Sequence, residues 1–314
     1  PGMNTAAHAR SGSGSRRGSR WSGPSAGSPP AWRTETYARS TGVTSRGGPD
    51  SAGAELGTRR RVPEIEHLYA IGRVLENERI DGLLVIGGWN AYLAANLLWR
   101  ERDRYPAFRI PMVCVPASID NNLPGSELSI GSDTALNEIS DALDRIKQSA
   151  SASRRCFVVE TMGAPLWLPD PDGWAGRRRR TGLPARGRGH PGRPGPRRRV
   201  AQSRFAHGRR LFLAIRNEEA NPLYTTDFMA RVFEEEGGGD LFDVRQAILG
   251  HLQQGGNPSP SDRLLATQLV DFGIDTLKAQ LEAGGGDAAC SVGTLAGQLV
   301  ATPMERMFDD ADTV

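Results

Sequence analysis

The chain is short of aliphatic residues in two long stretches. Residues 1–50 contain no leucine or isoleucine and one valine, Val43. Residues 165–204 hold only Leu166, Leu168, Leu183 and Val200 among seven prolines, seven glycines and eleven arginines. Neither stretch can bury enough apolar area to offset its ordering entropy, so neither is expected to pack. Long hydrophobic runs are missing too. No apolar stretch approaches ~18 residues, which excludes a membrane-spanning helix. The first residues carry no apolar signal-peptide core. A soluble cytoplasmic chain with no membrane partner is the expectation. Cysteine is scarce: Cys114, Cys156 and Cys290 lie in apolar runs without metal-ligand spacing. That pattern excludes a metal framework and predicts buried free thiols in a reducing compartment.

The net charge of +3 hides an asymmetry: residues 1–50 and 165–204 contribute +5 and +9, leaving the rest of the chain at −11. An acidic folded part argues against a nucleic-acid partner. The basic run Arg177–Arg199 has no lysine, and Trp167 and Trp174 precede it rather than interleave with it. It therefore lacks the stacking platforms of a nucleic-acid binder.

What is present concentrates between Ile80 and Gly163. Three apolar runs each end in a small-residue or polar turn: Gly87-Gly88-Trp89-Asn90-Ala91-Tyr92, then Pro116-Ala117-Ser118-Ile119-Asp120-Asn121-Asn122, then Glu160-Thr161-Met162-Gly163. An apolar run, a turn and a helical pattern make the βα unit of an open parallel sheet. Such sheets bind ligands at the carboxyl ends of their strands, so all three turns are expected to line one crevice. Strands are expected over 80–86, 110–115, 155–161 and 210–215. Helices are expected over 64–78, 132–148, 225–236 and 260–282, the last ended by Gly284–Gly286. The helix at 132 is expected to start near the Ser129 and Ser132 hydroxyls, with Asp133 suiting its dipole.

Several of these segments, in order, resemble the 6-phosphofructokinase family. They are Pro116–Ser126, Thr134–Asn137, Asp144–Ser149, Arg216–Glu218, Tyr224–Phe228 and Leu249–Gly256 with its Gln253-Gln254-Gly255-Gly256. The likeness covers roughly 53–163 and 205–308, and is greatest to the C-terminal half of the tandem-duplicated, eukaryotic-type enzymes. It implies an α/β fold of two parallel-sheet, Rossmann-like subdomains with a cleft between them, incomplete here. The implied division has a degenerate N-terminal segment at 1–52 and the nucleotide side, with the start of the sugar-phosphate side, at 53–163. An Arg/Gly/Pro-rich segment follows at 164–204, then the sugar-phosphate subdomain at 205–283 and a return to the first subdomain at 284–314. Pro1-Gly2-Met3-Asn4 resembles the family's first phosphate-binding loop, so the chain is read as beginning inside that loop. Family-like sequence stops at Gly163 and resumes near Phe205 at about the family's spacing. That combination favours compensated frameshifts over a genuine basic linker.

The implied reaction is glycolytic: the ATP γ-phosphoryl passes to fructose 6-phosphate with Mg²⁺ assistance. Asp120 matches the base that takes the proton from the sugar 1-hydroxyl, and Ser118 a hydroxyl beside the transferred group. Taken alone, an Asp in a Ser-x-Asp-Asn turn is more often a turn former. Arg155, Met162, Gly163, Glu218, Arg245 and His251 match the clamp on the fructose phosphate. Arginines there would give bidentate donors to phosphate, and Glu218 would accept sugar hydroxyls. Arg155 matches a residue that reaches into a neighbouring unit's sugar site, which implies a homo-oligomer. On the nucleotide side Gly87, Gly88 and Arg60 match phosphate contacts. Trp89, Asn90 and Ala91 stand where single-unit bacterial members carry Asp-Gly-Ser and the tandem C-terminal halves an aromatic-X-Ala, so the aspartate for Mg²⁺ is replaced and the indole is expected to obstruct the loop; no metal ligand is assigned. Asn122 replaces a second acid, Gln254 a phosphate-binding arginine and Ala164 another arginine. Two further readings stay open: an allosteric, non-catalytic half that binds a fructose bisphosphate effector, and a damaged, non-functional gene product.

Overall fold

The computed structural model describes residues 21–22, 37–38, 61–150, 154–163, 205, 208, 210–237 and 242–309. Arg60, most of 1–50 and all of 164–204 lie outside the described residues. Near the N-terminus β1 (Trp21–Ser22) pairs antiparallel with β2 (Tyr37–Ala38). The chain divides into two compact units, the first running to Thr134 and resuming at Gly256, the second being Ala135–Gly255.

In the first unit α1 (Ile65–Asn77) follows the apolar spacing of its sequence and turns Leu68, Gly72 and Leu75 to the core. Gly72 allows close approach, because a Cβ there would stand 3.4 Å from Ala107 Cβ. Past the helix end Arg79 adopts φ 53°, and Ile80 donates its N–H to the Leu75 carbonyl at 2.9 Å. Strand β3 therefore begins at Leu83 rather than Ile80 and runs Leu83–Gly87. Helix α2 (Trp89–Arg100) follows at once, so most of the first expected turn is its opening turn. The sheet has the order β3-β4-β8-β9, with β4 (Met112–Pro116), β8 (Ala289–Leu295) and β9 (Gln298–Pro303). β3, β4 and β8 run parallel, and β9 returns antiparallel.

All five residues of β4 are buried, which explains its unbroken apolar run. Its period of two splits them between faces. Met112 and Cys114 join the core of α1, α2 and the short α6 (Met304–Asp309). Val113 and Val115 join the core under α5 (Pro260–Glu282). Gly273 of α5 seats that helix, its Cβ position lying 3.3 Å from Leu84 Cδ1 and 3.4 Å from Val115 Cγ2. α5 thus belongs to the first unit, whereas the sequence reading grouped 205–283 together. Its apolar face matches the β3–β4 surface.

The second unit is a parallel sheet of order β6-β5-β7: β5 (Arg155–Thr161) lies between β6 (Leu211–Asn217) and β7 (Asp243–Ile248). Cys156 and Val158 face a core with α4 (Thr226–Gly237) and a stacked pair, Phe205 and Phe242, 4.4 Å apart. Phe157 and Val159 face α3 (Ser132–Ala150). All three cysteines are buried and free. Burial pushes the Cys156 thiol up to about 12 and raises Cys114 and Cys290 as well. Cys114 and Cys290 face opposite cores of the first sheet, so they do not form a redox pair. No helix among the described residues is long and apolar enough to cross a membrane.

Candidate functional site

The first two turns adjoin at the carboxyl edge of the first sheet. Ala117 donates its N–H to the Gly87 carbonyl at 3.0 Å. Gly88 lies against Ser118, where a Cβ would come within 3.4 Å of the serine Cβ. The Asp120 loop is fixed from within. Ser118 N–H donates to Ser129 Oγ at 2.7 Å, and Asp120 N–H donates to Ser118 Oγ at 3.2 Å. Asn121, at φ 49°, accepts from Ser129 N–H at 2.7 Å and donates to the Glu127 carbonyl at 2.9 Å. Ser118 therefore shapes the loop that carries Asp120, and Asp120 is half-buried. Asn122 Oδ1 is buried and has no hydrogen-bond partner among the described residues.

Below this loop two helix starts cap one another. Asp262, 1% exposed, accepts from Gly131 N–H and Thr134 N–H at 2.8 Å each and from Thr134 Oγ1 at 2.5 Å. Ser259 caps α5 through Asp262 N–H and donates its hydroxyl to Asp133 at 2.6 Å. The start of α3 is thus held by a carboxylate from a distant helix. Ser132 Oγ instead donates to the Ser129 carbonyl at 2.8 Å. The sequence reading assigned the cap to nearby serines because a cap supplied from across the fold leaves no local signal.

The nucleotide turn differs from expectation at Trp89. The indole does not stand in the loop; it packs on the first core, with its ring 5.9 Å from that of Phe308. No carboxylate lies in the 87–92 turn, so these residues do not fit a magnesium ion. Among the described residues one group has metal-ligand geometry, Glu64, Glu66 and His67. It sits at the positive end of α1, where a cation is disfavoured.

The second sheet gathers Met162, Gly163, Glu218 and His251 at its carboxyl edge, where Thr161 pairs with Asn217 and Glu160 with Ile248. Glu218 N–H donates to the Thr161 carbonyl at 2.9 Å, and Glu218 Oε1 accepts from Gly163 N–H at 3.4 Å. Gly163 has φ 152°, and a Cβ there would overlap the Asn217 amide nitrogen. The buried side chain of Gln253 accepts Met162 N–H at 2.7 Å. That bond ties the short turn bearing the exposed His251, Gly250–Gln254, to the end of β5. Gln254 Nε2 reaches Met162 Sδ at 3.8 Å.

Two clamp residues lie elsewhere. Arg155 opens β5, about six residues or roughly 20 Å from Thr161. Its Nε is buried without a partner among the described residues. Arg245 lies mid-strand in register with Phe157 and near Asp243 at 3.8 Å.

A family model described as Phosphofructokinase matches residues 1–277. The chain belongs to the phosphofructokinase family. It is similar to the ATP-dependent 6-phosphofructokinase of Dictyostelium discoideum, 41% identical over 82% of this chain and 31% of that protein. It is also similar to the platelet-type ATP-dependent 6-phosphofructokinase of Mus musculus, 38% identical over 81% of this chain and 33% of that one. The phosphofructokinase of Pichia pastoris in the T-state superimposes with a TM-score of 0.70 at 30% identity, covering 83% of this chain and 32% of its own. A pyrophosphate-dependent phosphofructokinase from Marinobacter aquaeolei shares the fold, with a TM-score of 0.55 at 17% identity over 81% of this chain and 66% of its own. The chain thus spans about a third of the length of the curated relatives it matches.

Sequence reasoning missed Arg216, Glu160, Thr226 and Gln253 as supports of the second-sheet site. All four stand in segments that the sequence reading singled out, but only their burial and hydrogen bonds show their supporting role.

Proposed function

We propose that the chain binds fructose 6-phosphate at the carboxyl edge of the second sheet, as the sugar-phosphate part of an ATP-dependent 6-phosphofructokinase. The observation that supports this is the tethered group Met162, Gly163, Glu218 and His251, held by Gln253 and by the strand ends. Glu218 accepts sugar hydroxyls, and His251 donates to the 6-phosphate. Arg155 and Arg245 lie away from that edge, which suits contacts to a second copy in a homo-oligomer. In the family reaction the residue matching Asp120 takes the proton from the sugar 1-hydroxyl; here Asp120 stands on a loop preset by Ser118, Asn121 and Ser129. ATP is the donor named for the similar curated enzymes; Mg²⁺ finds no aspartate in the 87–92 turn.

A second reading is favoured by one observation. Trp89 occupies the metal residue's place and packs on Phe308, which suits a regulatory half that holds a fructose bisphosphate and transfers nothing. The test is a phosphotransfer assay with Asp120→Asn, alongside sugar-phosphate binding. A catalytic unit loses about 10²–10⁴-fold in turnover, the range for a positioned base, with binding unchanged. A regulatory half shows no turnover, and the same variant binds a bisphosphate equally well or more tightly. Full turnover in the variant would show that Asp120 only shapes its loop.

A further inference from the structure

Behind Glu218 lies a buried charged network that the reading above does not use. The Arg216 side chain is 4% exposed, so it touches no ligand. One guanidinium nitrogen donates to Glu160 Oε2 at 2.6 Å and to Thr226 Oγ1 at 3.0 Å. The other donates to the Glu218 carbonyl at 3.0 Å and the Asn221 carbonyl at 3.3 Å. The Glu160 carboxylate also accepts the Thr226 hydroxyl, and the Glu160 carbonyl accepts Leu249 N–H at 3.0 Å. The network therefore spans the ends of all three strands and the first residue of α4. It grips the 218–221 turn by its carbonyls, leaving the Glu218 side chain exposed.

We infer that Arg216 is a positioning residue for the sugar-phosphate site: with Glu160 as its anchor, it fixes the direction in which Glu218 presents its carboxylate. The inference rests on the proposed fructose 6-phosphate site. Only arginine has the geometry. Its planar fork holds four partners at fixed angles, whereas a lysine ammonium pairs with Glu160 but cannot also reach both carbonyls. A buried pair of this kind is weak support for stability in itself, because desolvation offsets its attraction. Its selective value lies in holding one arrangement of the turn.

The experiment is a double-mutant cycle read by calorimetric titration of fructose 6-phosphate into the full chain. Arg216→Lys keeps a charge beside Glu160 and should weaken binding about tenfold, within the ~10²-fold that a 1 Å misplacement can cost. In a Glu218→Ala background the same substitution should have no further effect on affinity, because the group it aims is gone. A purely structural role gives the opposite: the two losses multiply. Should Arg216→Lys fail to fold, Thr226→Val removes one of the four partners and should give a smaller loss of the same sign, again absent in Glu218→Ala. Wild-type affinity in the Arg216 and Thr226 variants, with weakened binding in Glu218→Ala, overturns the inference alone. Wild-type affinity in Glu218→Ala overturns the sugar-site reading and the inference with it.

Discussion

Replacing Asp262 with alanine should be among the most damaging single changes to the first unit, and the structure sets the size. The carboxylate serves three donors, the N–H groups of Gly131 and Thr134 and the Thr134 hydroxyl, in a place 1% exposed to solvent. A buried donor left without an acceptor costs ~1–3 kcal/mol, and loss of a helix cap typically ~1 kcal/mol. The three donors are neighbours and relax together, so the loss should be about 3–5 kcal/mol rather than a full sum. That is a large fraction of a typical ~5–15 kcal/mol stability. Asp262→Asn keeps one acceptor but turns an N–H group toward a donor, and should cost about 2 kcal/mol. Urea unfolding followed by far-ultraviolet circular dichroism gives the totals, and amide hydrogen exchange at 131–136 locates the effect. A loss under about 1 kcal/mol for Asp262→Ala would refute the reasoning.

Three other outcomes test separate parts of the account. The buried thiols have folded pKa values above their unfolded value of 9.0, with Cys156 near 12. Their contribution is therefore fully present below pH 9 and is lost as pH rises toward 12, by up to ~1.4 kcal/mol per pH unit per thiol. Thermal melts between pH 8 and pH 11 should show a falling Tm that flattens when Cys156 is replaced by Ala, and an unchanged slope in that variant would contradict the burial argument. Gly163→Ala forces a Cβ onto the Asn217 amide and should cost ~1–3 kcal/mol while weakening fructose 6-phosphate binding; an unaffected titration curve would count against that turn's role. Installing Asp-Gly-Ser with Trp89→Asp, Asn90→Gly and Ala91→Ser should raise Mg·ATP affinity at least about tenfold, or ~1.4 kcal/mol. It should cost about 2–4 kcal/mol for the aromatic removed from Phe308. No gain in nucleotide binding would show that this turn is not what limits it.

The sheet strands most legible in sequence were those buried on both faces. Met112–Pro116 and the centre of Arg155–Thr161 read as unbroken apolar runs because helices cover both sides. β7, β8 and β9 were missed: most residues of β7 and β9 are exposed, and β8, though buried over its first five residues, is built largely of small residues rather than a bulky apolar run. The expected strands put Met162, Gly163 and Glu218 near strand ends, where they lie; His251 follows β7, which was not expected. The expected strand over 155–161 put Arg155 at the far end from the Met162-Gly163 turn, but the motif match could not show that this parts it from the other clamp residues. Nor could it show that Trp89 turns inward, since that depends on Phe308, far along the chain. Asp262 escaped for the same reason, since its donors lie far away in sequence; Arg216 has partners nearby, but its pairing with Glu160 is long-range and shows only in the folded chain.

The central claim is that the second sheet's carboxyl edge holds a sugar phosphate. Calorimetric titration of fructose 6-phosphate into the full chain, its Glu218→Ala variant and its His251→Ala variant tests it most directly. The account predicts saturable one-site binding to the parent chain, weakened by about 1–3 kcal/mol in each variant, the scale of a charged hydrogen bond. An affinity indifferent to both substitutions, or heat from Mg·ATP with none from the sugar phosphate, would contradict it.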